Sequence, residues 1–415
     1  MRTRFLLTLG LVALSEIYSF ILIRSISRNM PNAWKVSIWV VYILLTALSW
    51  GSIFLFRRID WASLPHMSRN IFVAFTLGFF VAKLLVLLVM LIDDIRRVVL
   101  WIFYKAAPAS PAAVAAAEGG ISRSVFLKTI AMIVGGTTLS AFLYGITNRY
   151  NYKVKRVRIA FKNLPAAFKG MKIVQISDIH AGSFDSHSAV ARGVQKILDE
   201  KPDIIFFTGD LVNNKCEEVK PYMDIFSQLK APLGVYSVLG NHDYGDYAEW
   251  DTPEAKVQNL QELKDLHGKM GWKLMMNEHV VLEKGEDKIA VLGVENWSAK
   301  PNFPKHGDLR SAYRGLEGKA VPFKILLSHD PSHWDAQVNT QYKDIDLTFS
   351  GHTHGMQFGV EIPGFKWSPV KYVYAKWAGL YQVGAQHLYV NRGYGFLGYP
   401  GRLGILPEIT VVELA

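Results

Sequence analysis

Cysteine is nearly absent from this chain of 415 residues, whose single cysteine is Cys216. One thiol cannot form an internal disulfide, so cysteine usage indicates no redox compartment. One thiol also cannot supply the several thiolates of a sulfur-rich metal site. A metal site built mainly from imidazole, carboxylate and amide groups is therefore expected.

Acidic residues are scarce in the first part of the chain. Residues 1–160 hold 19 Lys and Arg but only 5 Asp and Glu, whereas residues 161–415 hold 27 Lys and Arg and 30 Asp and Glu. The net charge of +11 therefore belongs to the first part, where basic residues beside anionic lipid headgroups explain it. The charge does not indicate nucleic-acid binding, and no nucleic-acid partner is predicted.

Long apolar runs distinguish the first part from the rest. A membrane-spanning helix needs about 20 apolar residues, and residues 1–150 contain four such runs. The predicted spans are 5–23, 36–56, 71–92 and 125–146, with an Ala/Pro-rich flexible linker at 106–120. Buried core helices are the alternative, but four successive runs with basic flanks favour a multi-pass protein of the cell membrane, with the lipid bilayer as its partner.

The side of the membrane is predicted from the basic residues near the spans. If the four spans cross the membrane in turn, the N-terminus and residues 155–415 lie on the same side. Ten Lys and Arg residues near the spans lie on that side, and eight lie on the other. This distribution favours a cytoplasmic location for residues 155–415. Export is the alternative, because the sequence before the fourth span is similar to a twin-arginine signal. However, Ser124 stands where that signal has its second arginine.

Two charged residues lie inside the predicted spans, Glu16 in the first and Lys83 in the third. Charged groups inside a membrane normally face other helices and pair with one another. We therefore expect an ion pair between these two helices.

Five short motifs follow in order along the second part of the chain. They are Asp178-Ile-His180, Gly209-Asp210, Gly240-Asn241-His242-Asp243, Ser328-His329 and Gly351-His352-Thr-His354. Each follows an apolar run of strand length, at 172–177, 203–208, 234–239, 323–328 and 345–350. An isolated histidine is more often structural, but the ends of parallel strands meet at one sheet edge. The order and spacing therefore predict a single site.

The set resembles the calcineurin-like metallophosphoesterases, and in particular a membrane-anchored subgroup with N-terminal transmembrane helices. Their pattern is D-x-H, GD, GNH-D/E, a lone H and GHxH, each at a strand end. The resemblance covers roughly residues 155–415 and implies an α/β catalytic domain, a four-layer α/β/β/α sandwich behind the four transmembrane helices.

The resemblance also implies a role for each motif residue. Asp178, His180 and His354 would bind one metal, Asn241, His329 and His352 the other, and Asp210 would bridge both. The implied catalytic residues are His242, Asp243 and Asn213. Asn213 stands where phosphoprotein phosphatases of this superfamily have an aspartate, and their arginine is also missing, which argues against a phosphoprotein substrate.

The chemistry of these residue types agrees with the resemblance. Two cations about 3.5–4 Å apart can clamp a phosphoryl group and generate hydroxide from water, with an anionic bridge such as Asp210 between them. Mixed imidazole, carboxylate and amide ligands suit two divalent ions of Mn, Fe or Zn. His242 would then protonate the leaving group. The sequence thus predicts a metal-dependent phosphohydrolase that cleaves a phosphoester, phosphodiester or pyrophosphate bond.

The substrate is predicted from the membrane anchor. A four-helix anchor favours a lipid-linked substrate, such as a phospholipid or the UDP-diacylglucosamine that some relatives hydrolyse. A soluble-nucleotide phosphodiesterase and a non-catalytic metal-binding membrane scaffold remain as alternatives. The sequence indicates no protein partner and no substrate-binding residue.

Overall fold

The computed structural model describes residues 2–55, 65–106, 123–301, 303–317 and 321–415. The chain divides into two compact units, Met1–Ile146 and Thr147–Ala415. The predicted linker at 106–120 lies outside the described residues, apart from Ala106 at the end of a helix.

The first unit is helical. Its helices are α1 (Arg2–Ile26), α2 (Asn32–Leu55), α3 (His66–Ala106) and α4 (Arg123–Gly145). By length and composition, all four can cross a membrane. Many large apolar side chains point outward, as lipid-facing residues do, among them Leu44 at 62% and Ile95 at 61% exposed. The predicted transmembrane region is confirmed.

Helix α3 is longer than its predicted span of 71–92 and continues for 41 residues. The reason lies in Asp93, whose carboxylate accepts hydrogen bonds from Arg96 and Arg97, three and four residues further along. Such pairs stabilise a helix beyond the apolar stretch. The helix therefore continues through a charged segment.

The expected ion pair between the spans is present. Lys83 Nζ lies 2.7 and 2.8 Å from the two carboxylate oxygens of Glu16, and Lys83 is only 3% exposed. Tyr42 and Trp50 of α2 also donate hydrogen bonds to the Glu16 carboxylate. The pair therefore joins three helices.

The second unit contains two six-stranded sheets and one hairpin. The first sheet has the order β1-β14-β2-β3-β4-β5, the second β12-β13-β9-β8-β7-β6, and β10 pairs with β11. The strands are β1 (Lys153–Ile159), β2 (Lys172–Ile176), β3 (Ile204–Phe207), β4 (Val235–Ser237), β5 (Lys273–Leu274), β6 (Glu278–Lys284), β7 (Asp287–Gly293), β8 (Phe323–Leu327), β9 (Leu347–Ser350), β10 (Val360–Ile362), β11 (Phe365–Trp367), β12 (Gly379–Val383), β13 (Gln386–Val390) and β14 (Glu408–Leu414).

The helices of this unit cover the outer faces of the sheets. They are α5 (His187–Asp199), α6 (Met223–Phe226), α7 (Pro253–Lys269), α8 (Leu309–Tyr313) and α9 (Asn339–Gln341), and a π-helix spans Trp334–Val338. Ser186 caps α5 and Thr252 caps α7 through their hydroxyl groups, which accept hydrogen bonds from backbone N–H groups of the first turn.

Three apolar cores separate these layers. One core lies between the sheets, where Phe206 of the first sheet meets Phe349 of the second. A second core lies between the first sheet and helices α5 and α7. A third packs α8 and the π-helix on the second sheet. The predicted α/β/β/α sandwich is confirmed.

Parallel pairing explains where the motifs lie. Strands β2, β3 and β4 are parallel neighbours in the first sheet, and β8 and β9 are parallel neighbours in the second. Each carries a predicted motif directly after its last residues. The carboxyl ends of parallel strands share one sheet edge, so the motifs of each sheet are brought together.

Candidate metal centre

One group of buried side chains connects the end of β2 to the loop after β9. It consists of Asp178, His180 and His354. Nε2 of His354 lies 3.0 Å from Nε2 of His180 and 3.3 Å from a carboxylate oxygen of Asp178. One possible ligand atom from each residue lies within 4.8 Å of the others, so the three can surround one cation.

A second group connects the end of β3 to the loops after β8 and β9. It consists of Asp210, His329 and His352. Nε2 of His329 lies 3.1 Å from Oδ2 of Asp210 and 3.3 Å from Nδ1 of His352. The same Asp210 oxygen lies 3.6 Å from Nε2 of His180 in the first group. Asp210 thus lies between the two groups, as a bridging carboxylate must.

Asn241 offers a further oxygen at this site. Its Nδ2 donates a hydrogen bond to the hydroxyl of Tyr247 (3.0 Å), whereas its Oδ1 is buried and has no hydrogen-bond partner among the described residues. A buried acceptor without a partner costs about 1–3 kcal/mol, which a bound cation would offset. The unpaired oxygen and the facing imidazole nitrogens fit a pair of divalent cations.

The backbone turns sharply at these residues. Five predicted ligands have positive φ angles, Asp178 (52°), His180 (49°), Asp210 (60°), His352 (70°) and His354 (49°). Residues other than glycine rarely adopt this conformation, and such strain concentrates at functional sites. The turns allow predicted ligands on one loop to point towards the same predicted cation position.

Two motif glycines are needed because the loops approach one another closely. A Cβ atom on Gly240 would lie 2.2 Å from Oδ1 of Asp210. A Cβ atom on Gly351 would lie 1.9 Å from Ser177 Oγ and 2.3 Å from Oδ2 of Asp178. A side chain at either position would therefore displace a predicted ligand.

Hydrogen bonds orient the ligand imidazoles. Nδ1 of His329 donates to the carbonyl oxygen of Thr208 (2.7 Å), which leaves Nε2 free to bind a cation. Nε2 of His352 donates to the hydroxyl of Tyr374 (2.8 Å), and that hydroxyl donates to Asp330 (3.3 Å). These contacts leave Nδ1 of His352 facing His329. A hydrogen bond to the second ring nitrogen typically orients a metal-binding histidine in this way.

His242 lies beside both groups. Its Nδ1 donates to the main-chain carbonyl of Asn213 (2.7 Å), and its ring centroid is 5.0 Å from that of His180. Nε2 is thereby left free for proton transfer. The Asn213 side chain bonds Ser183 instead, so the partner of His242 is the main chain at position 213 and not the side chain.

Asp243, which the resemblance implies to be a catalytic residue, is surrounded by backbone N–H groups. Its fully buried carboxylate accepts hydrogen bonds at 2.7–3.3 Å from the backbone N–H groups of Asp210, Leu211, Val212 and Gly240. These contacts hold the Asp210 loop against the next loop. They favour a positioning role over a catalytic one.

Burial and charge shift the titration of the ligand residues. Burial raises the pKa of Asp178 to about 7 and lowers that of His180 to about 3. Burial opposes protonation of His329, but the Asp210 carboxylate outweighs it and raises the pKa of His329 to about 10. Asp210 thus favours positive charge at the site, and a bound metal ion would supply that charge in place of a proton.

Another group of possible ligands, Cys216, Glu217 and Glu262, lies outside the motifs. The ammonium of Lys220 lies 3.1 Å from Glu217 and 2.6 Å from Glu262. A cation therefore already balances these carboxylates, and the two groups at the strand ends are the better metal site.

Several positioning residues escaped sequence reasoning. Asp330 directly follows His329, a predicted ligand, and this adjacency could have indicated it. Tyr247 and Tyr374 are two of 18 tyrosines, and no local pattern sets them apart. Only the folded chain places their hydroxyl groups beside Asn241 and His352.

Comparison with known proteins identifies the family. A sequence model of the calcineurin-like phosphoesterases matches residues 171–356, and a model described as the transmembrane domain of probable calcineurin-like phosphoesterases matches residues 1–149. The uncharacterized metallophosphoesterase YkuE of Bacillus subtilis (strain 168) is 32% identical over 256 residues, which cover 60% of this chain and 81% of that protein. The chain belongs to the calcineurin-like phosphoesterase family.

Two further relatives differ in how much of their length is matched. A transmembrane protein with metallophosphoesterase domain of Danio rerio is 33% identical over 307 residues, which cover 72% of this chain and 65% of that protein. The phosphodiesterase YaeI of Escherichia coli (strain K12) is 26% identical over 300 residues, which cover 71% of this chain and 99% of that protein. The chain thus spans slightly less than two thirds of the Danio rerio relative.

Membership confirms the predicted class of protein. The chain is a membrane-anchored member of a family of metal-dependent phosphoesterases, which are hydrolases. The family implies divalent metal ions, and the two groups of side chains fit them.

Proposed function

We propose that this protein hydrolyses a phosphodiester or pyrophosphate bond at a dinuclear metal centre. Asp178, His180 and His354 would hold one cation, Asn241, His329 and His352 the other, and Asp210 would bridge them. When bound, two such cations supply the hydroxide and the positive charge that clamps the phosphoryl group. The observation that carries the proposal is the Asp210 carboxylate, which lies 3.1 Å from a nitrogen of one group and 3.6 Å from a nitrogen of the other.

The ligand atoms favour particular metals. They are imidazole nitrogens and carboxylate or amide oxygens, a set that suits Mn, Fe or Zn. The metal content of the purified protein, measured by mass spectrometry, would identify the native ions.

His242 is proposed to protonate the leaving group from Nε2. The hydrogen bond from Nδ1 to the Asn213 carbonyl fixes the ring and its tautomer. The loss of His242 should therefore matter most for leaving groups that need a proton. We expect His242→Ala to lower turnover of an alkyl phosphodiester more than that of a p-nitrophenyl diester, since p-nitrophenolate leaves without protonation.

The proposed substrate is lipid-linked, such as a phospholipid or a UDP-diacylglucosamine-like molecule. Two aromatic rings flank the centre. The ring centroid of Tyr247 lies 4.5 Å from that of His242, and the ring centroid of Phe303 lies 5.0 Å from that of His352. Tyr247 is 51% exposed and can contact an apolar part of a substrate. Anchoring in the membrane also supports a substrate of the bilayer, and the Lys and Arg distribution supports a cytoplasmic catalytic domain.

The substrate class can be tested with two diesters that share a leaving group. The full chain in lipid nanodiscs with Mn²⁺ should hydrolyse phosphatidyl-p-nitrophenol with a higher kcat/KM than the soluble bis-p-nitrophenyl phosphate. Equal values would contradict the lipid preference and favour a soluble-nucleotide phosphodiesterase. Hydrolysis of neither diester by protein that binds metal would contradict phosphodiester hydrolysis itself.

A further inference from the structure

The hairpin of β10 and β11 has its apolar face towards solvent. In the antiparallel register, Val360 pairs with Trp367 and Ile362 with Phe365, so these four residues share one face. Ile362 is 58%, Phe365 54% and Val360 43% exposed. A hairpin on the surface of a soluble protein normally shows the reverse pattern, with its apolar side inward.

The polar side of this hairpin is fixed to the rest of the unit. Glu361, on the opposite face, accepts a hydrogen bond from Arg392 at 2.9 Å and one from Lys155 at 3.3 Å. Its cross-strand partner Lys366 donates to the carbonyl oxygen of Ala378. These contacts hold the polar face inward, so the outward direction of the apolar face is built into the fold.

Exposed apolar residues continue after the hairpin. Tyr372 is 75% and Val373 55% exposed, and both follow the exposed Lys371. Exposed apolar groups of this size beside cations are typical of surfaces that bind a partner or a membrane. Tyrosine and tryptophan are also enriched where proteins meet the lipid–water interface.

The charge of this segment is complementary to an anionic surface. Residues 362–407 contain no Asp or Glu. Lys366 and Lys371 are exposed there, whereas Arg392 and Arg402 are buried and Lys376 pairs with Asp335. The remainder of residues 161–415 is correspondingly acidic, since the whole range holds 27 Lys and Arg and 30 Asp and Glu. Basic residues at the surface of an anionic bilayer contribute about 1 kcal/mol each.

Few residues separate the fourth candidate span from an ion-pair partner of the hairpin. The fourth candidate span ends at Asn148, and Lys155, which pairs with Glu361 of the hairpin, follows seven residues later. Seven residues reach at most about 25 Å when fully extended. Lys155, and with it the ion pair to the hairpin, therefore follows the last candidate span after a short length of chain.

We propose that the outward face of Val360, Ile362, Phe365 and Trp367 is a lipid-docking surface. The apolar side chains insert into the interfacial region of the bilayer that anchors the chain, and the exposed Lys371 contacts anionic headgroups. This inference goes beyond the proposed hydrolysis and holds whether or not the substrate is a lipid. It commits to the bilayer as the occupant of this face, in place of a second copy of the chain.

A nitroxide label at this face would report its surroundings. Phe365→Cys would be labelled in the full chain in nanodiscs that contain phosphatidylglycerol, and the unlabelled buried Cys216 of the parent serves as the background control. We expect the label to collide with oxygen more often than with a water-soluble nickel complex. The matched control is a label at Val257, an exposed apolar residue of α7, where the nickel complex should dominate.

A charge placed beside the label tests the same surface without relying on one variant. Ile362→Asp should shift the label at position 365 towards the nickel complex, whereas Ile362→Val should leave it unchanged. Equal accessibility to the nickel complex at positions 365 and 257 would overturn the proposal. Dipolar broadening between two labelled chains, without raised oxygen accessibility, would also overturn it, since a second copy would then cover the face.

Discussion

The ion pair between Glu16 and Lys83 should contribute strongly to the stability of the transmembrane region. Removing one partner of a buried ion pair costs about 3–5 kcal/mol, because the other charge stays buried without compensation. Lys83→Met leaves the Glu16 carboxylate with only the hydroxyl of Tyr42 at 3.2 Å and the indole of Trp50 at 3.1 Å. These remaining contacts place the expected loss at the lower end, about 3 kcal/mol.

The reverse substitution should cost less. Glu16→Gln leaves the Lys83 ammonium 3.0 Å from Thr46 Oγ1 and 3.8 Å from the ring centroid of Phe79. A desolvated cation–π contact contributes about 2 kcal/mol, so the expected loss is about 2–3 kcal/mol. The double variant removes both charges and should lose only about 1 kcal/mol, since isosteric replacement of a buried pair is often nearly neutral.

The assay is unfolding of the helical region in mixed micelles by added dodecyl sulfate, followed by circular dichroism, for all four members of the cycle. The matched control is Arg97→Met. In this variant Asp93 keeps its ion pair with Arg96, and the ion pair that is lost is near the surface, since the Arg97 side chain is 54% exposed. An exposed pair contributes at most about 1 kcal/mol. The reasoning would be refuted if the stability lost in the double variant equalled the sum of the two single losses. It would also be refuted if the single variants were as stable as the parent.

Three further predictions concern the catalytic unit. Asp243→Asn should destabilise the catalytic unit by about 2–4 kcal/mol in thermal unfolding, because the new NH₂ group faces backbone N–H donors. Unchanged stability of this variant would contradict the prediction. Burial lowers the pKa of His267 to about 3, so the unfolded chain, with a pKa of about 6.5, binds the proton first as the pH falls. His267 should then contribute a loss of about 1.4 kcal/mol in stability between about pH 7.5 and 5.5, and His267→Gln should reduce the total loss by about this amount if the attribution holds. Gly351→Ala should abolish metal binding measured by calorimetry, whereas Gly268→Ala, with open space around its Cβ, should bind metal as the parent does.

The parts of the fold that sequence predicts are those encoded locally. The apolar run before Asp178 and the one before Gly351 form strands that end within one or two residues of the expected positions. The transmembrane helices follow directly from hydrophobic length. The convergence of the motifs follows from parallel pairing, which the strand ends already implied.

Hydrogen bonds from the site histidines to distant segments could not be predicted in this way. The partner of His329 is a carbonyl of residue 208, and the partner of His352 is the hydroxyl of Tyr374. Neither contact leaves a local pattern, since every residue has a carbonyl and tyrosines are frequent here. The hydrogen bonds of Asp243 could not be predicted for the same reason, because backbone N–H groups carry no sequence signature. The individual roles of the ligand residues remain predictions.

The most direct test of a two-metal centre is the number of manganese ions bound per chain. It would be measured together with hydrolysis of bis-p-nitrophenyl phosphate. The proteins compared are the parent, Asp210→Asn and the exposed control Asp251→Asn. The proposed bridge predicts two ions and activity in the parent and the control. It predicts the loss of at least one ion and of hydrolysis in Asp210→Asn, because both groups share that carboxylate. Two bound ions and parental turnover in Asp210→Asn, or full activity of the parent with a single ion, would contradict the account.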